Sequence, residues 1–253
     1  MRFCSLGSGS KGNGTIVQYG KTTLLIDSGF TLKDIEFRLA KKGLTALDLT
    51  AILVTHEHSD HIKGVGPLAR KYKIPVYLSH GTAQYEGLGK ISSLKIIDSH
   101  DAFDIGELNV QPVVVPHDAR EPTQFVLKAN GLKLGILTDL GSFTPYIISQ
   151  YESVDALMLE TNHDIAMLRS GPYPPKLKVR VEGHLGHLNN EQAGEFLTNI
   201  NRKKLQYLIA THISGKNNHT NIALDSLYRN IDRESGWIIM ADQANGFDWC
   251  QIA

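Results

Sequence analysis

The stretch TAILVTHEHSDH, Thr50–His61, decides how the chain is read, because an apolar β-branched run ends there in four potential metal ligands within six positions. Ala51, Ile52, Leu53 and Val54 have the composition and length of a strand buried on both faces, so His56, His58, Asp60 and His61 fall on the loop at its C-terminal end. Open α/β sheets carry their chemistry at that end. In extended backbone His56 and His58 face the same way, while Asp60 and His61 turn past the corner. Neutral imidazole with a carboxylate oxygen suits zinc, and also manganese or iron. A solvated turn rarely concentrates this residue type, so a metal site is the reading adopted.

Downstream, three more potential ligands each follow a short apolar run: His117 in VVVPHD, Asp139 in LGILTDLG and His212 in LIATHIS. HxHxDH followed by a lone His, an Asp and a last His resembles the metallo-β-lactamase-fold hydrolase superfamily over nearly the whole chain. The resemblance implies that His56, His58 and His117 hold one divalent ion, that Asp60, His61 and His212 hold a second, and that Asp139 bridges them. Zinc is expected ahead of manganese or iron. The flavodiiron branch carries Glu where this chain has His58, which argues against an oxygen-reducing diiron role.

The composition bounds the rest. The chain has 253 residues, with Lys plus Arg and Asp plus Glu at 26 each. That length can bury a large core, and one domain spanning 1–253 is expected. Zero net charge announces no global field for nucleic acid, so polyanion binding must be local. No run approaches about 18 consecutive apolar residues and no charged leader precedes an apolar stretch, so a cytoplasmic, non-membrane protein is expected. The two cysteines, Cys4 and Cys250, stand at opposite ends of the chain and read as core thiols.

Arg2–Leu6 and Thr15–Tyr19 read as strands joined by GSGSKGNG. Gly7, Gly9 and Gly12 spell GxGxxG, but a strand rather than a helix follows, so no dinucleotide site is expected. Ser8, Ser10 and Asn13 on this loop could donate to a phosphate. Thr22–Ile26 is a third strand, ending in Asp27-Ser28-Gly29, where Asp27 is expected to orient a metal-bound histidine. Thr31 and Asp34 start a helix that Gly43 stops. Helices are expected at Ile62–Tyr72, Asn189–Ile200 and Thr220–Asn230. Further strands are expected at Pro75–Leu78, Leu94–Ile97, Phe103–Ile105, Leu108–Val115, Gln124–Lys128, Lys133–Leu137, Ala156–Leu159, Leu205–Ala210, Gly236–Met240 and Gly246–Cys250. The glycine and prolines at 171–175 predict irregular backbone, within an arm crowded by Arg169, Lys176, Lys178 and Arg180. Two strand-rich halves with helices outside make an α/β αββα sandwich of two mixed sheets, as the family resemblance also implies.

Two bound dications would polarise a substrate oxygen and acidify a water, so hydrolysis needs no Ser or Cys nucleophile. The substrate class must come from other residues. GHLNNEQAGEF resembles the GHxxxxQAA element of the tRNA 3′-processing endonucleases in this superfamily, and Glu160 resembles the acid that pairs with its histidine, here His187. Such a dyad can protonate the leaving oxygen of a phosphodiester, whereas a thiolate leaves unaided. GSGSKGNG, ETNHD, SGPYPPKLK and GHLGHLNN together resemble the YycJ/WalJ-type branch of small DNA-directed exonucleases. That resemblance implies a nuclease with Asp60, Glu160 and His187 as catalytic residues. Ser8, Ser10, Asn13, His163, Lys178, Arg180 and His184 are the candidate substrate contacts. DNA is expected ahead of RNA, cut from a 5′ end. The alternatives are a glyoxalase-type thioesterase or lactonase, which needs no dyad, and a metal-stabilised regulatory protein.

Overall fold

Alternation within the apolar runs decides which way each strand faces. In Thr22–Ile26, Leu24 and Ile26 turn into one apolar layer and Leu25 into another; in Ala156–Glu160, Met158 faces inward and Leu157 and Leu159 outward. Successive side chains of a strand point to opposite faces, so a strand apolar throughout must be covered on both. The computed structural model, which describes residues 1–234 and 236–253, meets that demand with two seven-stranded sheets packed face to face.

The first sheet runs Phe247–Gln251, Arg2–Gly7, Gly14–Tyr19, Thr22–Ile26, Ala51–Leu53, Val76–Ser79, Leu94–Ile97. The second runs Ile239–Met240, Tyr207–Thr211, Ala156–Glu160, Leu132–Leu137, Thr123–Ala129, Leu108–Val114, Phe103–Ile105. Phe3, Val17, Leu53, Phe125, Leu127 and Ile209 fill the space between them. Each such buried side chain contributes about 1.5–3 kcal/mol relative to exposure. Helices Leu32–Lys41 and Val65–Tyr72 cover the outer face of the first sheet through Ile35, Leu39 and Leu68, and helix Asn190–Asn199 covers the second through Phe196 and Leu197. Both sheets are mixed, and the expected αββα layering is what is found.

The site is positioned by the parallel part of each sheet. Thr22–Ile26, Ala51–Leu53 and Val76–Ser79 pair in parallel, as do Leu132–Leu137, Ala156–Glu160 and Tyr207–Thr211. Their C-terminal ends therefore lie at one edge of the sandwich, carrying Asp27 and the His56–His61 loop from one sheet and Asp139, Glu160 and His212 from the other.

Local signals explain the starts and stops. Thr31 caps the Leu32–Lys41 helix by accepting from Asp34 N. Asn189 and Gln192 form a reciprocal capping box at Asn190–Asn199. Asn130 and Gly131, with φ of 48° and 80°, close the antiparallel hairpin between Thr123–Ala129 and Leu132–Leu137. Elsewhere the structure departs from expectation. Ile62–Tyr72 is two helices, Ser59–Ile62 and Val65–Tyr72, and Gly236–Met240 shortens to Ile239–Met240. Pro145–Gln150 and Ile165–Ser170 are helices that the sequence patterns do not announce. Irregular backbone at 171–175 ends sooner than expected, because Pro175 opens a helix, Pro175–Glu182. Proline at the first helical position loses only an N–H that has no partner there anyway.

Candidate metal centre and active site

Three strand ends turn sharply to bring their side chains together. Asp27, Asp139 and His212 have φ of 61°, 55° and 53°, a left-handed conformation that costs a non-glycine residue roughly 1 kcal/mol or more. Backbone hydrogen bonds hold two of them there: Asp27 N donates to Leu53 O at 2.8 Å and His212 N to Ser8 Oγ at 2.9 Å. Gly29 follows for a steric reason, since a Cβ there would collide with the Asp60 carbonyl.

In the first cluster three ring nitrogens converge. His58 Nδ1 lies 3.0 Å from His56 Nε2 and 3.2 Å from His117 Nε2. Metal–nitrogen bonds of about 2.0–2.1 Å in a tetrahedron give an edge of about 3.3 Å, so these spacings fit a divalent ion. The outward nitrogens are fixed, His117 Nδ1 on Gly186 O at 2.9 Å and His56 Nδ1 beside Thr55 Oγ1 at 2.9 Å. Burial pushes both His56 and His117 below the ordinary imidazole range. They are therefore neutral, with lone pairs free for a metal.

The second cluster is acidic. His61 Nε2 is 3.2 Å from Asp139 Oδ2 and 3.7 Å from Asp60 Oδ2, and His212 Nε2 is 3.7 Å from Asp60 Oδ2. Asp139 Oδ2 and His212 Nε2 are buried without a hydrogen-bond partner, a state that a cation would relieve. Asn13 Nδ2 stands 2.9 Å from His61 Nε2, a contact that an ion bound there would displace. Behind the ligands, Asp27 Oδ2 accepts from His61 Nδ1 at 2.8 Å and Glu160 Oε1 from His212 Nδ1 at 2.9 Å. Such carboxylates fix the ring and raise its basicity. Burial alone would lower these two histidines. Asp139 and Asp27 instead hold His61 well above the usual range, and Asp139, Asp60 and Glu160 hold His212 at about 10. His56 and His61 with Asp139 also lie close enough to share an ion, so Asp139 stands between the clusters.

Glu160 is the hub of the second sheet's contribution. It is fully buried, and its Oε2 accepts from Leu140 N at 3.1 Å and Leu188 N at 3.0 Å. Its Oε1 takes His212 and also His187 Nδ1, the latter at 2.8 Å. Burial opposes its charge, but His187 and His212 hold the carboxyl down at about 2. His187 lines the cleft, which leaves Nε2 as the nitrogen available to a substrate.

That cleft, about 350 Å³, opens over the ligand cluster. Of the candidate substrate contacts, Ser10 and Arg180 line it. Ser8 and Asn13 are buried, their polar atoms engaged with His212 N and with Gly9 N. His163 is fully buried off the cleft wall, and both its ring nitrogens lack hydrogen-bond partners. Lys178 and His184 lie off the cleft wall, with Lys178 Nζ donating to Arg169 O at 2.7 Å. Sequence reasoning missed Asp118, Asn162, Tyr173 and Ser214, which do line the cleft. Asp118 pairs with Arg180 across 62 positions. Its place directly after His117 was the available signal.

Among the described residues, no helix is long and apolar enough to cross a membrane. Residues 22–213 match the family model of the beta-lactamase superfamily domain. The chain is 34% identical to exodeoxyribonuclease YycJ of Bacillus anthracis, over 92% of this chain and 90% of that protein. It is 37% identical to exodeoxyribonuclease WalJ of Streptococcus pneumoniae, over 88% and 85%. Among solved structures, the metallo-β-lactamase fold protein YhfI of Bacillus subtilis superposes with a TM-score of 0.74 at 19% identity, covering 99% of both chains. That likeness shows the fold, and the two curated relatives narrow it further. The chain belongs to the metallo-β-lactamase superfamily of hydrolases and, within it, to the family of the YycJ and WalJ exodeoxyribonucleases.

Proposed function

We propose that this chain is a metal-dependent phosphodiesterase that removes nucleotides from DNA, acting from a 5′ end in the cytoplasm with two divalent ions, zinc ahead of manganese or iron. The observation that carries the reading is the His187 Nδ1–Glu160 Oε1 contact of 2.8 Å at the edge of the ligand cluster. That the YycJ and WalJ relatives are exodeoxyribonucleases supports DNA as substrate.

His56, His58 and His117 would hold one ion and Asp60, His61 and His212 the other, with Asp139 between. When bound, the ions supply Lewis acidity toward a phosphoryl oxygen and lower the pKa of water. The chain's own residues do the rest. Burial opposes the charge on Asp60, but His212 and His61 hold its carboxyl at about 2, so it is ionised and suited to holding a cation and to orienting the attacking water by accepting a hydrogen bond rather than its proton. Glu160 stays charged and orients His187, so that Nε2 carries a proton toward the departing sugar oxygen. Ser10 and Arg180 are the polar contacts for the phosphate, while Ser8 braces His212 and Asn13 braces the Gly9 turn and Asp60 behind them. Lys178 and His184 would meet a longer strand outside the cleft.

The thioesterase reading gives the dyad no work, because a thiolate needs no proton to leave. His187→Ala therefore separates the two. General acid catalysis is worth roughly two to four orders of magnitude. With metal content matched, the variant is expected to lose about that factor on single-stranded DNA and far less on bis-p-nitrophenyl phosphate, whose phenolate leaves unprotonated. Equal losses on both would remove the general-acid role.

A further inference from the structure

The cleft wall carried by the helix Pro175–Glu182 is apolar and aromatic, which phosphate recognition does not require. Tyr173, Leu177 and Val181 recur every fourth residue along the lead-in and one side of that helix, and all three line the cleft that also holds Asp60, Asp139 and His187. The spacing puts Leu177 and Val181 on one face of the helix, and Tyr173, just ahead of its first turn, lines the same cleft. Several contacts fix this wall relative to the ligands. His187 N donates to Val181 O at 2.9 Å, Asp118 N to Leu185 O at 2.9 Å, and Arg180 pairs with Asp118. Two prolines, Pro174 and Pro175, stiffen the segment just past Tyr173. Tyr173 is half-buried, and the Lys216 ammonium lies 6.0 Å from its ring centroid, at the outer limit of a cation–π contact.

We propose that Tyr173 is a stacking platform for the nucleobase next to the scissile phosphate, with Leu177 extending its apolar surface and Lys216 offering a cation to the neighbouring phosphate. This rests on the nuclease reading above and deepens it. Every base has a π face, so an aromatic platform binds without choosing sequence. A terminal base has one free π face whether or not it is paired, so the platform suits the last nucleotide of a single strand or of a duplex end.

The test uses the metal-replete enzyme and two single-stranded deoxyoligonucleotides, identical except that one carries an abasic residue at the nucleotide to be released. The wild type is expected to favour the base-bearing strand in kcat/KM by about 5- to 100-fold, the range of stacking on one aromatic side chain. In Tyr173→Ala, and in Tyr173→Leu, which keeps apolar bulk without a π face, that ratio is expected to fall toward one. Tyr173→Phe should retain it. A purely structural role for Tyr173 would lower both strands together and leave the ratio unmoved, which overturns the platform. Cleavage of both strands at one rate by the wild type overturns it as well and leaves the nuclease reading standing. Cleavage of neither strand, alone or annealed to its complement, overturns both.

Discussion

The two halves of the ligand cluster are built from the same side chain at the same kind of strand end, and they differ in what stands behind it. His56 and His117 are backed by a hydroxyl and a carbonyl, and burial drives their protons off. His61 and His212 are backed by Asp27 and Glu160 and faced by Asp60 and Asp139, which hold their protons on against the same burial. Asp118, the carboxylate beside His58 and His117, is already paired with Arg180. Burial is common to both halves, so the neighbouring charge makes the difference. The first half is a neutral socket whose shape selects an ion, and the second is an anionic one that also compensates its charge.

Asp139 tests the comparison most severely, because it is the group that both halves share. Asp139→Ala is expected to reduce turnover to background and bound metal from the proposed two ions per chain to one or fewer, with the fold largely kept, as read by elemental analysis and circular dichroism. Two ions retained at full occupancy would mean that the halves are independent.

Asp27 tests the anionic half alone. Losing a carboxylate behind a metal-bound histidine typically costs about 10- to 100-fold in metal affinity. During chelator titration of the wild type, one ion should leave before the other, the first from the His56, His58 and His117 socket. In Asp27→Asn the more tightly held ion should weaken by about that factor, so that the two steps approach each other. A variant whose two steps keep the wild-type separation would show that Asp27 only packs.

How much of this was legible in the sequence depends on the reach of each interaction. The convergence of the candidate ligands was, because their clusters follow apolar runs that must be strands, and a strand end fixes a position within the fold. Glu160 was legible for the same reason, closing Ala156–Glu160. Interactions between residues distant along the chain were not. The Ser8 hydroxyl holds His212 across 204 positions, and nothing local marks it. The Pro174-Pro175 pair reads as a breaker although Pro175 begins a helix, and this hides the face that brings Tyr173 and Leu177 to the cleft. Asn162 and His163 are neighbours in a stretch that reads as site, yet only Asn162 lines the cleft. The turn after Glu160 drives the His163 ring into the interior, where its carbonyl accepts from Asn190 N at 2.9 Å.

His163 also supplies the smallest and most discriminating test of the comparison, as a buried histidine in the acidic half that no carboxylate touches. Burial lowers it to about 4, and the Glu160 charge nearby offsets this only in part. If contact with a carboxylate, and not mere proximity to the acidic half, sets a ring's charge, His163 must behave like His56 and not like His61. The sign of the pH effect follows. The folded ring stays neutral down to about pH 4, whereas the unfolded ring takes a proton below about 6.5. Between those values the unfolded state binds more protons, so stability is present above about pH 6.5 and is lost as pH falls toward 4. A shift of that size corresponds to about 3 kcal/mol at the low end of the window. His163→Leu removes the titrating ring and two unpartnered nitrogens at once, and apolar replacement of such a group is near neutral or stabilising. The urea midpoint of the variant, at matched metal content, should equal or exceed that of the wild type at pH 7 and should fall less steeply from about pH 6.5 to 4.5. Identical slopes for the two proteins would mean that His163 takes up its proton in the folded state as readily as in the unfolded one, and that the acidic half acts on its histidines at a distance.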